Sequence, residues 1–240
     1  MKNILSIVLP AFNEEGNILP LSGELDEVLP ALAAWSVECV FVDDGSTDNT
    51  RREMIAARAR YPDLGIRIIA LDGNYGLTTA MDAGFKAAQG GVVATLDTDL
   101  QNDPRDLPRL LAELGSADVV IGVRVRRRDS LVKRASSKIA NSIRNRATHE
   151  EIADTGCSLK VYRKEFLDRL KLFTGLHRFL PTLLKMEGAR VAQVPVNHRP
   201  RAAGRAKYGL ANRLAGPLAD LLAVRWMMKR HIRYRTEELP

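Results

Sequence analysis

The chain has 240 residues, enough for one large domain or two small ones. Hydrophobic residues make up 45% and charged residues 27%, which is typical of a globular protein, and no apolar stretch approaches the roughly 20 residues of a membrane span. No signal-peptide pattern follows Met1, and with Cys39 and Cys157 as the two cysteines a disulfide framework is not expected, so we predict a cytoplasmic protein.

The formal net charge of +7 is unevenly distributed along the chain. Segments 124–146 and 199–235 are strongly basic, with Asp129 and Asp220 as their respective acids, whereas the remainder of the chain is acidic on balance. Two basic segments favour anionic partners at defined sites, namely phosphates, a lipid-headgroup surface or nucleic acid. The alternative is that each segment forms a solvated helix face.

Apolar runs alternate with helical patterns along the first half of the chain. The predicted strands are Leu5–Leu9, Val37–Val42, Ile66–Leu71, Val92–Leu96 and Ala117–Val123. The predicted helices are 14–33, a segment from Ser46 or Thr47 to Arg60, Leu77–Ala88 and Arg105–Leu114. Because the strands are almost continuously apolar and helices separate them, the pattern predicts an α/β fold with a mostly parallel sheet covered by helices.

The pattern is less regular after Ile152. The predicted elements there are short strands at Ser158–Tyr162 and Ala189–Val194, a helix at His177–Met186, a basic loop at 197–208 and a helical pattern over 210–234. We predict one domain over residues 1–208, followed by a basic amphipathic helical extension over 209–240.

The stretch VVATLDTDLQNDP ends a buried strand in Asp97 and Asp99. Side chains two positions apart on an extended chain point to the same side, so both carboxylates can face one ligand. Carboxylates are typical ligands of Mg²⁺ and Mn²⁺, and Gln101 can add a carbonyl oxygen. The alternative is that Asp97 caps a turn and Asp99 caps a helix.

Acidic loops also follow the first two strands. The first strand lacks the glycine-rich turn of dinucleotide-binding proteins. Instead, the Pro10 backbone, the Phe12 ring and the Glu14 carboxylate suit the recognition of a nucleoside. Asp43 and Asp44 can accept hydrogen bonds from a base N–H or a ribose hydroxyl. Ligands of parallel sheets lie at the carboxyl ends of the strands, where these loops meet. Ordinary helix capping is the alternative for both loops.

Four segments together resemble family 2 glycosyltransferases of the Rossmann-like GT-A fold: VLPAFNEEGNI, FVDDGSTDNT, GNYGLTTAMDAGF and ATLDTDLQNDP. Two later segments, DTGCSLKVYRKE and HRPRAAGRAKYG, resemble polyprenyl-phosphate glycosyltransferases of the dolichol-phosphate mannose synthase type. The resemblance spans about residues 4–230. It implies a metal-dependent, inverting transfer of a sugar from a GDP- or UDP-sugar to a polyprenyl or dolichyl phosphate.

The resemblance also implies roles for individual residues. The positions that match the donor-nucleoside site are Pro10, Phe12, Glu14 and Asp43. The positions that match ligands of a Mg²⁺ or Mn²⁺ ion bridging the donor diphosphate are Asp97, Asp99 and Gln101. The basic pair that matches the residues closing over the diphosphate is Arg201 and Lys207. The cluster that resembles the acceptor-phosphate site is Arg124, Lys133, Arg134 and Ser137.

The expected chemistry follows from the charges of the two substrates. Negative charge grows on the diphosphate as the sugar bond breaks, and a cation at Asp99 with Arg201 and Lys207 would stabilise it. A phosphate monoester is largely ionised near neutral pH, so the acceptor needs no strong general base. Single displacement predicts inversion. Asp154 is a candidate for positioning the sugar or the acceptor, and a loop cap before Gly156 is its alternative.

Residues 218–235 mix apolar and basic side chains, as helices at a membrane interface do. The alternative is a helix that packs its apolar face on the domain. Together with the absence of a membrane span, the resemblance implies an enzyme bound peripherally to the cytoplasmic face of a membrane, or one that works with a separate membrane protein.

Two other functions compete with this interpretation. The same donor chemistry with a soluble or cell-envelope glycan acceptor would make the basic cluster at 124–137 dispensable. A sequence pI of about 9.6 suggests a nucleic-acid-binding protein. Few aromatic residues interleave with the basic ones, and the acidic loops would repel a polyphosphate, so we expect no nucleic-acid partner. The four histidines lack metal-ligand spacing.

Overall fold

The computed structural model describes residues 3–125, 141–200, 215–232 and 237. Within these ranges one sheet contains seven strands in the order β3-β2-β1-β4-β6-β5-β7. The strands are β1 (Asn3–Ala11), β2 (Trp35–Asp43), β3 (Arg67–Ala70), β4 (Val92–Thr95), β5 (Val119–Arg124), β6 (Lys160–Arg163) and β7 (Val191–Val196). Only β6 runs antiparallel to its neighbours in this described sheet, which confirms the predicted mostly parallel arrangement.

Helices in the described residues cover both faces of the sheet. They are α1 (Ile18–Val28), α2 (Thr50–Arg60), α3 (Leu77–Ala87), α4 (Leu107–Ala112), α5 (141–148), α6 (Lys164–Leu167), α7 (Leu180–Met186) and α8 (Ala215–Arg230). A 3₁₀ turn, Leu176–Phe179, leads directly into α7.

The continuous apolar runs of the central strands supply two hydrophobic cores. In β1, Leu5, Ile7 and Leu9 belong to one core, whereas Val8 belongs to the core on the opposite face. Successive side chains of a strand point to opposite faces, so a strand buried on both sides needs apolar residues at every position. This explains why the sequence shows runs rather than alternation.

Two helices begin later than the sequence pattern predicted. The segment before α1 is a turn in which the Asn17 N–H donates to the Glu14 carbonyl at 3.0 Å, so the helix starts at Ile18 and not at residue 14. Helix α2 starts at Thr50, and not after Ser46 or Thr47, because the Asp48 carboxylate accepts the Thr50 N–H at 3.0 Å. The residues released from both helices form loops at the carboxyl edge of the sheet.

Helix α8 has two different faces. Its Leu221 and Val224 pack into a third apolar cluster with Leu176, Phe179 and Leu183. On another face, Leu218, Leu222 and Trp226 follow one another at intervals of four and are 56%, 62% and 64% exposed. Within the described ranges, none of the helices combines the length and the apolar character that crossing a bilayer requires.

Candidate active site

The loops that follow β1, β2, β3 and β4 meet at the carboxyl edge of the parallel strands. Ala11 and Asp43, the last residues of β1 and β2, are paired in register, and Asp43 is also paired with Ala70 at the end of β3. Between the loops lies a cavity of about 260 Å³, called the carboxylate cavity below. Its lining residues are Pro10, Ala11, Phe12, Glu14, Asp44, Asn74, Gly76, Leu77, Ala80, Asp97, Thr98 and Asp99.

Hydrogen bonds between backbone N–H groups and side-chain oxygens join the loop after β1 to the loop after β2 and to the start of α2. Asn13 has a left-handed backbone with φ of 49°. Its N–H donates to the Ser46 hydroxyl at 3.0 Å, and its side-chain oxygen accepts the Thr47 N–H at 2.8 Å. The next N–H, that of Glu14, donates to the Thr50 hydroxyl at 2.7 Å. These bonds hold the first loop in place, so that Phe12 and Glu14 line the carboxylate cavity.

The adjacent carboxylates of β2 occupy different environments. Asp43 is fully buried and lies outside the cavity lining. Its carboxylate accepts the Ser46 N–H at 2.9 Å and the Arg51 side chain at 2.8 Å, so it supports the loop. Asp44, by contrast, lines the cavity.

Asp44 joins the second loop to the loop after β3. Its carboxylate accepts the side-chain amide of Asn74 at 3.0 Å and the backbone N–H groups of Tyr75 and Gly76, each at 2.8 Å. Gly45 permits this contact, because its φ is +71° and an added Cβ would lie 2.5 Å from the Gly73 carbonyl carbon. Sequence reasoning did not select Asn74 or Gly76 as cavity residues, although the segment that contains them contributed to the family resemblance.

Asp97 and Asp99 follow β4, with Thr98 and Asp99 in a turn, and both line the carboxylate cavity. The intervening Thr98 hydroxyl donates to the Pro10 carbonyl at 3.2 Å, and Asp99 accepts the Gln101 N–H at 3.1 Å. Leu100 has a φ of 62°, which turns the chain between Asp99 and Gln101. Burial and the neighbouring Asp99 carboxylate raise the pKa of Asp97 to about 6. The site therefore concentrates negative charge in a poorly solvated place.

The donor atoms at this position fit a hard divalent cation. Across the described residues no cluster of three His, Cys, Asp or Glu side chains suits a metal ion. Mg²⁺ is commonly held by one or two carboxylates with substrate phosphates, so Asp97 and Asp99 fit an ion that also binds a diphosphate. The Gln101 amide lies 3.5 Å from the Arg199 carbonyl, and Gln101 is outside the cavity lining.

Arg124 and Asp154, for which the sequence suggested separate roles, are paired with each other. The Arg124 Nε donates to Asp154 Oδ2 at 2.6 Å and Nη2 donates to Oδ1 at 2.9 Å. Their side chains are 15% and 7% exposed. The other predicted phosphate-binding residues lie outside the described residues: Lys133, Arg134, Ser137, Arg201 and Lys207.

A second cavity of about 270 Å³ adjoins the first and is called the histidine cavity below. Pro10, Leu77 and Asp97 line both cavities. The other lining residues are Met81, Thr95, Leu96, Thr155, Gly156, Cys157, Ser158, Lys160, His177 and Arg178.

Besides Asp97, the lining residues Lys160 and His177 of the histidine cavity have shifted pKa values. Burial lowers the pKa of the Lys160 amine, which donates to the Cys157 and Thr155 carbonyls. Burial, together with Arg178 and Lys160, lowers the pKa of His177 to about 3. Sequence reasoning missed His177 because its contact with Thr78 joins residues 99 positions apart and leaves no local pattern.

The family model "Glycosyl transferase family 2" matches residues 6–171. The dodecaprenyl-phosphate galacturonate synthase of Rhizobium johnstonii is 38% identical over 234 residues, which cover 94% of this chain and 67% of that protein. The undecaprenyl-phosphate 4-deoxy-4-formamido-L-arabinose transferase of Yersinia pestis is 37% identical over 222 residues, covering 91% of this chain and 66% of that protein.

Solved structures of glucosyl-3-phosphoglycerate synthase from Mycobacterium tuberculosis share the fold. The complex with Mn²⁺, UDP and phosphoglyceric acid has a TM-score of 0.70 at 20% identity, covering 93% of this chain and 78% of that one. The complex with Mg²⁺ and UDP has a TM-score of 0.68 at 20% identity, covering 93% and 79%. The expected GT-A fold is thus confirmed, and similar folds bind UDP with a divalent cation.

Proposed function

The chain belongs to glycosyl transferase family 2, and from that premise we propose that it transfers a sugar from a nucleotide diphospho-sugar to a polyprenyl phosphate, with inversion. It spans about two thirds of the length of the Rhizobium and Yersinia relatives, whose names give a polyprenyl-phosphate acceptor. The observation that carries the donor half of the proposal is the carboxylate cavity, where Asp97 and Asp99 face the nucleoside-type lining of Phe12 and Glu14.

The donor nucleoside occupies the carboxylate cavity. The Phe12 ring supplies an apolar surface for the base, and the Glu14 and Asp44 carboxylates are acceptors for base N–H or ribose hydroxyl groups. Asp43 contributes indirectly, since its bonds to Ser46 and Arg51 hold the loop that carries Asp44. A GDP-sugar and a UDP-sugar both satisfy this chemistry.

Asp97 and Asp99, with Gln101, are the residues that would hold a Mg²⁺ or Mn²⁺ ion. When bound, the ion supplies charge stabilisation to the departing diphosphate. Asp97 lines both cavities and Asp99 lines the carboxylate cavity, so both carboxylates would be available to such an ion beside the donor diphosphate. Arg201 and Lys207 are proposed to add cationic contacts to the same diphosphate.

The acceptor phosphate binds near Arg124, together with Lys133, Arg134 and Ser137. Asp154 holds the Arg124 guanidinium in a bidentate pair, so we assign Asp154 a positioning role through Arg124. A bidentate pair fixes the plane of a guanidinium, and this sets the orientation in which Arg124 would meet a phosphate. An ionised phosphate needs no proton removed before it attacks, so this role requires no general base.

Helix α8 is proposed to lie at the surface of the membrane that contains the acceptor. The two sequence interpretations apply to different faces: Leu221 and Val224 anchor the helix on the domain, whereas Leu222 and Trp226 are exposed. The basic side chains of Arg225, Lys229 and Arg230 are also exposed and suit anionic headgroups. Within this proposal, residues 209–240 form the extension that brings the 1–208 domain to the lipid.

The cytoplasmic face of the membrane is the proposed location. Cys39 and Cys157 are free thiols, which fits a reducing compartment. A separate membrane protein that anchors the enzyme is a further proposed partner, whereas a nucleic-acid partner is not proposed, because the acidic cavity residues would repel a polyphosphate.

A donor screen tests the proposal. Purified protein with Mn²⁺ or Mg²⁺ and a polyprenyl phosphate in detergent is offered GDP- and UDP-sugars, and nucleotide release and glycolipid are both measured. We expect glycolipid from the unmodified protein, none from Asp99→Asn, and normal yields from the control Asp63→Asn, which alters an exposed carboxylate elsewhere. Nucleotide release without glycolipid would indicate a soluble or cell-envelope acceptor. No turnover of any donor would refute the proposal.

A further inference from the structure

The histidine cavity adjoins the carboxylate cavity, where Asp97 and Asp99 would hold the cation that binds the donor diphosphate. Pro10, Leu77 and Asp97 line both cavities, so a group attached to a diphosphate beside Asp97 would lie next to the second cavity. A water molecule occupies about 30 Å³ in the liquid, so a volume of about 270 Å³ has room for a whole sugar ring. The side chains of His177 and Arg178 line its wall on the side of the 3₁₀ turn.

Thr78 contacts both the backbone of Gly175 and the ring of His177. The Thr78 hydroxyl oxygen accepts the Gly175 N–H at 3.0 Å and lies 2.7 Å from His177 Nδ1. One lone pair of the oxygen thus takes the Gly175 N–H, and the hydroxyl proton can donate to Nδ1, an arrangement in which Nε2 carries the ring hydrogen. With a pKa of about 3, the ring is neutral at physiological pH. In this arrangement Nε2–H is a hydrogen-bond donor of a residue that lines the cavity.

The turn that carries these residues is held from behind by α8. Gly175 has a φ of +90°, and a Cβ there would lie 2.4 Å from the Asp220 carboxylate. The same carboxylate lies 3.8 Å from the Arg178 guanidinium. Thr78 on α3 and Asp220 on α8 thus fix the segment on two sides. A wall fixed in this way can distinguish ligands by the placement of their oxygen atoms.

The polar groups of the cavity are mainly hydrogen-bond donors. His177 offers Nε2–H as a neutral donor, and Arg178 and Lys160 offer a guanidinium and an amine. Asp97, the carboxylate among the lining residues, also lines the carboxylate cavity. Such a cavity suits a ligand rich in oxygen acceptors, and the ring and hydroxyl oxygens of a sugar satisfy it.

We propose that His177 and Arg178 bind the transferred sugar and help to determine which sugar is accepted. His177 acts as a neutral hydrogen-bond donor through Nε2, not as an acid or a base, and Thr78 is the positioning residue that fixes its tautomer. This inference rests on the proposed function, since it requires the nucleotide to occupy the carboxylate cavity.

Calorimetric binding to probes with and without a sugar tests the inference. The sugar-free probes are UDP and GDP, and the sugar-bearing probes are UDP-glucose, UDP-N-acetylglucosamine, UDP-galacturonate and GDP-mannose. For the sugar-bearing probe that the unmodified protein binds best, His177→Ala should raise the Kd about tenfold, as expected for one lost hydrogen bond. The Kd of the matching sugar-free nucleotide should stay within about twofold.

Further variants separate a sugar contact from a structural role. His177→Gln, which restores an N–H donor, should recover most of the affinity, and Arg178→Ala should reproduce the selective loss without altering the ring. Thr78→Val should weaken sugar-bearing probes and Thr78→Ser should not. The control His149→Asn alters an exposed histidine and should change neither Kd.

The two proposals fail in different ways. The sugar contact would be overturned if both His177→Ala and Arg178→Ala lost equal affinity for the nucleotide and the nucleotide-sugar, or lost none for either. That result would leave the proposed transferase function standing. An unmodified protein that binds none of the nucleotides would overturn the proposed function and this inference together. Thermal unfolding of each variant identifies any that fail to fold, and the exposed position of Arg178 makes its variant the second, independent test.

Discussion

The pair between Arg124 and Asp154 gives the sharpest test of how the acceptor end of the site is built. If Asp154 acts by holding Arg124, replacing it with Asn should destabilise the fold and weaken the acceptor site at the same time. Both side chains are mostly buried, and two charge-assisted hydrogen bonds of 2.6 and 2.9 Å join them. A residue that instead contacts the substrate directly would change turnover with little change in stability.

The expected magnitude follows from this burial. Removing one partner of a buried ion pair costs about 3–5 kcal/mol, because the other charge is left buried without compensation. Asn retains a neutral acceptor, so Asp154→Asn should lower the free energy of unfolding by about 3 kcal/mol, near the lower end of this range. For a chain of this size, that loss corresponds to a decrease in Tm of about 6–12 °C. The KM for the polyprenyl phosphate should rise, whereas the KM for the nucleotide-sugar should stay close to its original value.

The assay is a double-mutant cycle with Asp154→Asn and Arg124→Gln, followed by thermal unfolding and by kinetics for each substrate. The control cycle uses Asp82→Asn and Lys86→Gln, an exposed pair at 2.6 Å on α3, for which coupling of about 0.3–0.5 kcal/mol is expected. We expect a coupling of at least about 2 kcal/mol for the buried pair. Coupling as small as that of the control, with turnover abolished by Asp154→Asn alone, would refute the positioning role.

Three further predictions follow from other parts of the structure. Gly45→Ala should lower the free energy of unfolding by about 1–3 kcal/mol and weaken nucleotide binding, because of its positive φ and its close approach to the neighbouring loop. Thermal unfolding measures the loss, and Gly115→Ala, where a Cβ meets nothing within 4 Å, should be nearly neutral. Trp226→Glu should reduce binding to anionic vesicles in a flotation assay and leave Tm within about 2 °C, since this side chain is 64% exposed; unchanged binding would argue against α8 as the membrane surface. Burial raises the pKa of the Cys39 thiol strongly and that of Cys157 to about 11, so at pH 8 both should stay protonated and resist iodoacetamide until the protein is unfolded; labelling of the native protein would contradict this.

The fold could be predicted from the sequence because a strand buried on both faces requires a continuous run of apolar residues. A strand such as β4, Val92–Thr95, is buried at every position, and the sequence shows this as an unbroken apolar run. Loops at the carboxyl ends of parallel strands converge by topology, so the proximity of Glu14, Asp44 and Asp97 could be predicted without coordinates.

The finer division of roles was not accessible, because it depends on the turn of each loop. Asp43 and Asp44 are adjacent and chemically identical, yet Asp43 supports the loop and Asp44 lines the cavity. The distinction arises from the left-handed Gly45, which carries the chain onto the neighbouring loop. Gly45 is visible in the sequence, but its contact with the loop at Gly73 becomes known only from the structure.

Long-range pairs account for the remaining differences. Arg124 and Asp154 were assigned separate roles, because nothing in the sequence indicates that residues 30 positions apart form a bidentate pair. The contact between Thr78 and His177 joins α3 to a turn before α7, and it positions a histidine that belongs to no sequence motif. Such pairs appear only when packing has brought separate elements together.

The central claim is that this chain attaches a sugar to a lipid phosphate, and the linkage in the product tests it most directly. Phosphorus and proton NMR of the lipid product formed with the best donor and Mn²⁺ would report the bond and its anomeric configuration. We predict a glycosyl phosphodiester whose anomeric configuration is opposite to that of the donor, absent when Asp99→Asn replaces the unmodified protein. A product that is only free sugar and nucleoside diphosphate, with the lipid phosphate unchanged, would contradict the claim.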